Sequence, residues 1–263
     1  NVRRLEEIGV VLLGWVLCGK SSAGNIILNR DEFATGGKTG KGTRGFEDVD
    51  GRKMTVLDTP GWWKYFASEL NPDFIRSAIL ESVSECKKFP HAILLVIPAD
   101  TSFQEELKRI TEQNMSILGD DVWRHTIVLF TWGDRFKDIS IEQHIEAEGE
   151  ALQWLIEKCR NRYHVFDNTD KNQAQVSELL QKIDEMVEEN CLFRLNCDEK
   201  SRQRNDTEDL NVEIRLKDVC HFLDEGFKRK AVEITKKMKN LCMDIMKEKI
   251  NLKKCASMEF PPE

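Results

Sequence analysis

A phosphate-binding loop is the first chemical signature in the chain. Residues 14–21, with the sequence GWVLCGKS, match the pattern G-x-x-x-x-G-K-[S/T]. The apolar run 8–13 precedes them as a short buried strand, and residues 21–28 can form the following helix. Successive backbone N–H groups and the helix N-terminus would then face phosphate oxygens, which predicts a nucleotide phosphate site.

Two side chains of this loop have expected roles of their own. Lys20 would reach the β- and γ-phosphates, and the Ser21 hydroxyl would ligate Mg²⁺. The residues predicted to contact phosphate are Gly14, Cys18, Gly19, Lys20, Ser21, Ser22 and Gly61. The four variable positions, 15–18, are Trp, Val, Leu and Cys. Positive φ angles are costly without glycine, and bulky side chains crowd an incoming catalytic group, so we expect weak hydrolysis.

A second set of residues is expected to complete the phosphate and metal site. The glycine-rich segment 35–43 predicts a loop that closes over the γ-phosphate, and its Thr39 and Thr43 are both candidates for a Mg²⁺-contacting hydroxyl. Segments 46–49 and 54–57 read as a hairpin around a D-G turn. The hairpin ends in the D-x-x-G residues 58–61, in which Asp58 would hold Mg²⁺ through water and the Gly61 N–H would meet the γ-phosphate.

Two adjacent tryptophans follow the D-x-x-G segment. Position 62, where a glutamine often orients water, is Trp62, whose indole cannot polarise water in that way. Trp62 and Trp63 have two interpretations, and the sequence leaves both open. They either anchor a partner surface or pack beneath the loop.

The rest of the domain alternates helices with buried strands, which predicts a mostly parallel central sheet. Helices are expected at 72–83, 105–118, 141–159 and 176–195, and strands at 92–97, 123–130 and 164–166. The sequence TWGD at 131–134 follows the second of these strands, and the Asp134 carboxylate would accept from guanine N1–H and N2–H₂. Trp132 could stack on the base, and Asn168 would contact the guanine edge. The guanine set is therefore Thr131, Trp132, Asp134 and Asn168.

Composition limits the remaining possibilities. With 263 residues and a formal net charge of −7, the chain suits one large α/β domain and an extension, without a broad nucleic-acid surface. The sequence contains neither a signal peptide nor an apolar run of about 20 residues, the length that spans a bilayer. Eight cysteines without a C-x-x-C pair indicate free thiols in a reducing, cytoplasmic compartment. No Ser–His–Asp or paired-carboxylate constellation is evident, so the catalytic residue is unknown.

We divide the chain into a nucleotide-binding domain at 5–195, a polar linker at 196–208 and a helical extension at 209–255. Apolar residues recur at helical spacing in the extension. Basic residues outnumber acidic ones at 228–254, which would allow contact with an anionic membrane surface, although a solvated helix packed on the domain is the favoured interpretation.

Together these stretches resemble the immunity-associated (GIMAP-type) GTPase family, particularly its fish members, which is similar to septins and to chloroplast-envelope import GTPases. The resemblance rests on the sequences GKSSAGN at 19–25, DTPGWW at 58–63, WRHTIVLFT at 123–131 and RYHVF at 162–166. It implies an α/β P-loop GTPase fold, GTP or GDP with Mg²⁺, and dimerisation across the nucleotide face. It also aligns Thr39, rather than Thr43, with the switch threonine.

The resemblance leaves hydrolysis open, because some members hydrolyse GTP through dimer contacts and others barely do. An arginine supplied in trans is one route, for which Arg44 and Arg135 are candidates. The family usually has Arg where this chain has Trp132. Our first hypothesis is a GTP-gated, dimerising switch or scaffold with slow hydrolysis. The alternative is a pseudo-GTPase interaction module that works through Trp62, Trp63 and the C-terminal helices.

Overall fold

The central sheet has six strands in the order β2-β3-β1-β4-β5-β6. The computed structural model describes residues 2–36, 42–64, 73–84, 90–136, 139–169 and 173–190. The strands are β1 (Glu7–Leu13), β2 (Thr43–Val49), β3 (Arg52–Asp58), β4 (Ala92–Pro98), β5 (Thr126–Thr131) and β6 (Tyr163–Val165). The helices are α1 (Lys20–Leu28), α2 (Asp73–Ser84), α3 (Glu105–Met115), α4 (Ile141–Glu148), α5 (Glu150–Lys158) and α6 (Ala174–Asn190).

The strand pairing confirms the predicted α/β fold with a mostly parallel sheet. Parallel pairs join β1 to β3 and β4, β4 to β5, and β5 to β6, whereas β2 pairs antiparallel with β3. The central strands β1, β4 and β5 are apolar and almost wholly buried, as expected of parallel strands flanked by helices. The edge strand β2 is instead mostly exposed or half-buried, and only Gly45 and Val49 are buried.

Several predicted boundaries were wrong, and each has a local cause. The helix expected at 141–159 is two helices, because Gly149 has a φ of 92° and interrupts the backbone bonds between α4 and α5. The strand expected at 123–130 begins only at Thr126, since residues 120–125 form 3-10 turns. Helix α3 ends at Met115, and the predicted residues 116–118 form another 3-10 turn.

Some predicted segments lie outside the described residues. These are Thr39, the linker at 196–208, the extension at 209–255 and the end of the helix expected at 176–195. Within the described ranges, no helix combines the length and the apolar character that crossing a bilayer requires.

A buried ion pair joins the β2–β3 hairpin to α6. Arg52 at the start of β3 donates to Asp184 at 2.7 Å, and the two side chains are only 7% and 6% exposed. Asp184 also accepts from the backbone N–H of Leu5 at 3.0 Å. The carboxylate therefore holds the N-terminal segment, the hairpin and the last described helix together.

We expect Asp184→Ala to lower the free energy of unfolding by about 3–5 kcal/mol, because it leaves the buried Arg52 charge uncompensated. Urea unfolding would measure the change, and the double variant Arg52→Met/Asp184→Leu should recover most of the loss. The matched control is Asp121→Ala, which removes an exposed pair with Arg124 and should cost about 0–1 kcal/mol. Equal losses in the two single variants would contradict this interpretation.

A buried histidine on β6 should make stability depend on pH. Burial lowers the pKa of His164 to about 4, and the positive charge of Lys182 acts in the same direction. In the unfolded chain, His164 has its ordinary pKa of about 6.5 and binds a proton that it does not bind in the folded chain. The contribution of His164 to stability is therefore fully present above about pH 6.5 and is lost as the pH drops toward 4. We expect His164 to contribute a loss of about 2 kcal/mol between pH 7 and pH 5. Urea unfolding of His164→Gln should show a shallower pH dependence, and an unchanged slope would refute this role.

Candidate nucleotide site

The phosphate loop joins β1 to α1 at positions where side chains do not fit. Gly14 has a φ of 151°, and a Cβ there would lie 2.6 Å from Cys18 Sγ and 2.8 Å from the Val96 carbonyl oxygen. Gly19, with a φ of 95°, immediately precedes α1. The two glycines of the motif therefore permit the tight path by which the backbone approaches β4 and enters the helix.

Between these glycines the loop carries a strained, exposed leucine. Leu17 has a φ of 65°, and its side chain is 68% exposed. The positive φ expected to be costly in a glycine-poor loop thus occurs at this residue. Val16 and Leu17 both line the cavity at the loop, so apolar bulk stands at its entrance.

Lys20 is folded back onto the loop. Its ammonium donates to the carbonyl oxygens of Trp15 at 2.9 Å and Gly14 at 3.4 Å, and the residue is only 5% exposed. Burial raises the pKa of the neighbouring Cys18 thiol, so this group stays neutral and brings no opposing charge. The site therefore concentrates a buried positive charge at the loop, which suits an anionic phosphate.

Two of the three residues predicted to hold Mg²⁺ are in contact. The Ser21 hydroxyl donates to the Asp58 carboxylate at 2.6 Å, and Asp58 is 2% exposed at the end of β3. A hydroxyl and a carboxylate are the hard oxygen ligands that Mg²⁺ prefers, together with water and substrate phosphate. This donor pair fits the ion. Thr39 lies outside the described residues, whereas Thr43 begins β2 opposite Asp58 in the strand pairing.

The D-x-x-G segment lies directly against the phosphate loop. The backbone N–H of Val16 donates to the Trp62 carbonyl at 2.8 Å. A Cβ on Gly61 would lie 2.6 Å from the Val16 nitrogen and 2.7 Å from Lys20 Nζ. Only glycine permits this approach, which places the Gly61 backbone beside the lysine that would contact phosphate.

The tryptophan that follows belongs to the core. Trp62 is 1% exposed, and its indole Nε1–H has no acceptor among the described residues. Trp63 is partly buried and packs against the same core. Of the two interpretations, packing beneath the loop is therefore confirmed for Trp62, because a buried ring cannot anchor a partner.

Thr131 serves the phosphate loop rather than facing the cavities. Its buried hydroxyl donates to the Cys18 carbonyl at 3.1 Å. A Cβ on Gly19 would lie 3.1 Å from the Thr131 hydroxyl oxygen. The side chain predicted to contact guanine thus has another partner in this structure. It ties the end of β5 to the phosphate loop.

The turn that would recognise the base is held by its backbone. Trp132, with a φ of 62°, donates its N–H to Asn168 Oδ1 at 2.7 Å. The Gly133 N–H donates to the Phe166 carbonyl at 2.8 Å. Asp134 follows with an exposed side chain. The side-chain oxygen of Asn168 therefore orients the turn. The contact of Asn168 with the guanine edge stays a prediction.

Two adjoining cavities bring most of the predicted residues together. One has a volume of about 160 Å³ at the phosphate loop, and the other has a volume of about 400 Å³ beside the turn after β5. Both are lined by Ser22, Thr35 and Trp132, and Asn168 lines the larger one. Asp134 is not among the described residues that line them.

Two residues that sequence reasoning did not assign to the site shape these cavities. Asn25 on α1 donates to the Phe33 carbonyl and accepts from the N–H groups of Glu32 and Phe33. These bonds fix the chain just before Thr35, which lines both cavities. Asn25 lies within a stretch that carries the family resemblance, but its spacing alone gives no role. Thr35 has no signal beyond the glycines that follow it.

The strand order, the phosphate loop after β1 and the D-x-x-G segment after β3 define a P-loop GTPase-type domain. The chain matches the AIG1 family over residues 8–212 and belongs to that family. This confirms the predicted resemblance.

Named relatives agree with this membership. The chain is 32% identical over 203 residues to human GTPase IMAP family member 8, covering 72% of this chain and 28% of that protein. It is 26% identical over 249 residues to immune-associated nucleotide-binding protein 7 of Arabidopsis thaliana, covering 92% of this chain and 78% of the relative. The chain thus spans little more than a quarter of the human relative's length.

The fold is also similar to a solved structure. Toc33 of Arabidopsis thaliana, in complex with GDP and Mg²⁺, superposes with a TM-score of 0.59 at 16% identity. The match covers 73% of this chain and 89% of Toc33. At this identity the likeness concerns the fold.

Relieving the strain in the loop should stabilise the protein. We expect Leu17→Gly to raise the free energy of unfolding by roughly 0.5–1 kcal/mol, because glycine adopts a positive φ without the steric cost and little apolar burial is lost. Leu17→Ala is the matched control, since it removes the same side chain but keeps the Cβ. Urea unfolding would compare them. A glycine variant no more stable than the alanine variant would show that Leu17 carries no strain.

Proposed function

We propose that this chain binds guanine nucleotide with Mg²⁺ and acts as a GTP-gated, dimerising switch or scaffold that hydrolyses GTP slowly. The observation that carries the proposal is the convergence of Lys20, Ser21 and Gly61 at one cavity, with the Asp58 carboxylate hydrogen-bonded to Ser21. The names of its relatives, and the solved Toc33 complexes with GDP and with GMPPNP, support the choice of guanine nucleotide.

The residues would divide the work of binding between them. Lys20 exchanges its contacts with loop carbonyls for β- and γ-phosphate oxygens, and Ser21 and Asp58 hold Mg²⁺ directly or through water. The bound ion would neutralise charge on the phosphates. The Asp134 carboxylate accepts from guanine N1–H and N2–H₂, donors that adenine does not present together.

Slow hydrolysis is supported by the surroundings of position 62. The Trp62 ring is buried, so it orients no attacking water, and the exposed Leu17 side chain obstructs the approach of a catalytic group. GTP and water would give GDP and phosphate at a rate near that of unassisted GTPases, below about 10⁻² s⁻¹.

Assembly through the nucleotide face is supported by apolar exposure beside the cavity. Leu17 is 68% exposed and lines the phosphate cavity together with Val16, so a second subunit could cover it in the nucleotide-bound state. In Toc33, whose fold is similar, dimerisation is important for the GTPase activity. We propose a cytoplasmic protein, in which residues 228–254 are a candidate for peripheral membrane contact and packing of a solvated helix on the domain is the favoured interpretation.

A pseudo-GTPase interaction module remains the alternative, with less support. It relied on Trp62 and Trp63 as a surface, and Trp62 is buried. It would bind nucleotide constitutively or not at all, with no change of assembly.

The test is calorimetry with GDP and a non-hydrolysable GTP analogue in Mg²⁺ buffer, with light scattering on the same samples. We expect both ligands to bind and only the analogue to increase the mass. Lys20→Ala should abolish binding, whereas Lys53→Ala, an exposed lysine on β3, should change nothing. Binding without any change of mass would support the alternative, and no binding would refute the nucleotide site.

Base selectivity tests the role of Asp134. We expect Asp134→Asn to weaken GDP binding by about 10- to 100-fold, because a charged hydrogen-bond acceptor is lost. The same variant should begin to bind xanthosine diphosphate. Calorimetry with the two nucleotides would measure both effects, and an unchanged preference for guanine would place Asp134 outside the base site.

A further inference from the structure

Trp132 is held from one side by an arginine that is itself fixed. The Arg135 guanidinium lies over the Trp132 ring, 4.8 Å from its centroid. Arg135 also forms an ion pair with Asp100, which follows β4. A charged group at this position over an indole is a cation–π contact. The carboxylate on the neighbouring loop keeps the arginine in place.

The backbone on either side of the ring is fixed as well. Asn168 accepts from the Trp132 N–H at 2.7 Å, and the Phe166 carbonyl accepts from the Gly133 N–H at 2.8 Å. Trp132 nevertheless remains only partly buried and lines both cavities. Arg135 lies over one face of the ring, so the opposite face is the one that a base in the adjoining cavities would use.

We propose that Arg135, held by Asp100, is a positioning residue that clamps Trp132 as a stacking platform for the purine base. The inference rests on the proposed nucleotide binding and deepens it. Stacking on an aromatic ring tolerates different bases because each has a π-face. Trp132 therefore adds affinity for any purine nucleotide, and Asp134 adds the preference for guanine.

The clamp also gives Arg135 a role within its own subunit. An arginine that stabilises the transition state in a partner's site must project away from its own chain. Arg135 instead contacts Asp100 and Trp132 of its own chain, so we expect it to act within its own subunit rather than as a catalytic arginine in trans.

Affinities for GDP and inosine diphosphate, measured by calorimetry, test the clamp. Arg135→Gln and Asp100→Asn should each lower the affinity for both nucleotides by the same factor, about 3- to 10-fold. The reason is that the indole is no longer held in these variants and must be ordered when the nucleotide binds. Arg135→Lys, which keeps the charge over the ring, should retain most of the affinity. Asp121→Asn is the matched control, because it removes an exposed aspartate–arginine pair away from the cavities, and it should bind like wild type.

A double-mutant cycle separates positioning from a direct contact. In a Trp132→Leu background, Arg135→Gln should have no further effect, because Arg135 acts through the ring. The same loss in both backgrounds would show that Arg135 touches the nucleotide itself, and no loss in either would overturn the clamp.

A second readout needs no nucleotide. The near-UV circular dichroism difference between wild type and Trp132→Phe reports the immobilised Trp132 ring, and Arg135→Gln should reduce it while thermal unfolding stays cooperative. A retained signal would overturn the clamp even if GDP binds. If wild type binds neither nucleotide, the proposed function and the stacking role fail together, whereas binding that is unaffected by Arg135→Gln overturns the clamp alone.

Discussion

The hydrogen bond from the Val16 N–H to the Trp62 carbonyl is the contact on which the candidate site depends. It joins the phosphate loop to the segment after β3, and it requires glycine at position 61, where no Cβ fits. The Thr59 hydroxyl strengthens the same junction by donating to the Leu12 carbonyl. Because these bonds are backbone contacts or buried, the alignment of Lys20 with Asp58 does not depend on flexible surface side chains.

Three non-glycine residues with positive φ angles line the cavities, namely Leu17, Asn29 and Trp132, and different interactions maintain two of them, Leu17 and Trp132. Leu17 has an exposed side chain in a loop whose neighbours are fixed by Gly14 and Gly19. Trp132 is held by bonds to its backbone and by Arg135 over its ring. Strained backbone persists where surrounding structure determines it, and such residues cluster at binding sites. Both residues line the phosphate cavity, which fits a surface that is shaped before the ligand arrives.

The sequence predicted the parts of the site that depend on local motifs. Lys20, Ser21 and Asp58 follow from spacing that fixes a strand, a turn and a helix, so their convergence could be expected. The hydrogen bond from Thr131 to the Cys18 carbonyl could not be expected from the sequence, because it depends on how closely β5 approaches the loop after β1. The Arg135–Asp100 pair depends likewise on two neighbouring strand ends. The break at Gly149 was missed because apolar periodicity continues across a single glycine.

The two ends of β3 are constrained by different interactions, and this limits how the site could respond to a ligand. Its first residue, Arg52, is paired with Asp184 in a buried environment, whereas its last residue, Asp58, faces the phosphate loop. Sliding the strand by one residue would separate the buried charges and reverse every side chain of β3 across the sheet. Residues 59–62 are also tied to β1 and to the phosphate loop by the Thr59 and Trp62 bonds. A nucleotide-dependent change is therefore better accommodated by the chain that follows Trp62 than by movement of the hairpin or of the D-x-x-G segment.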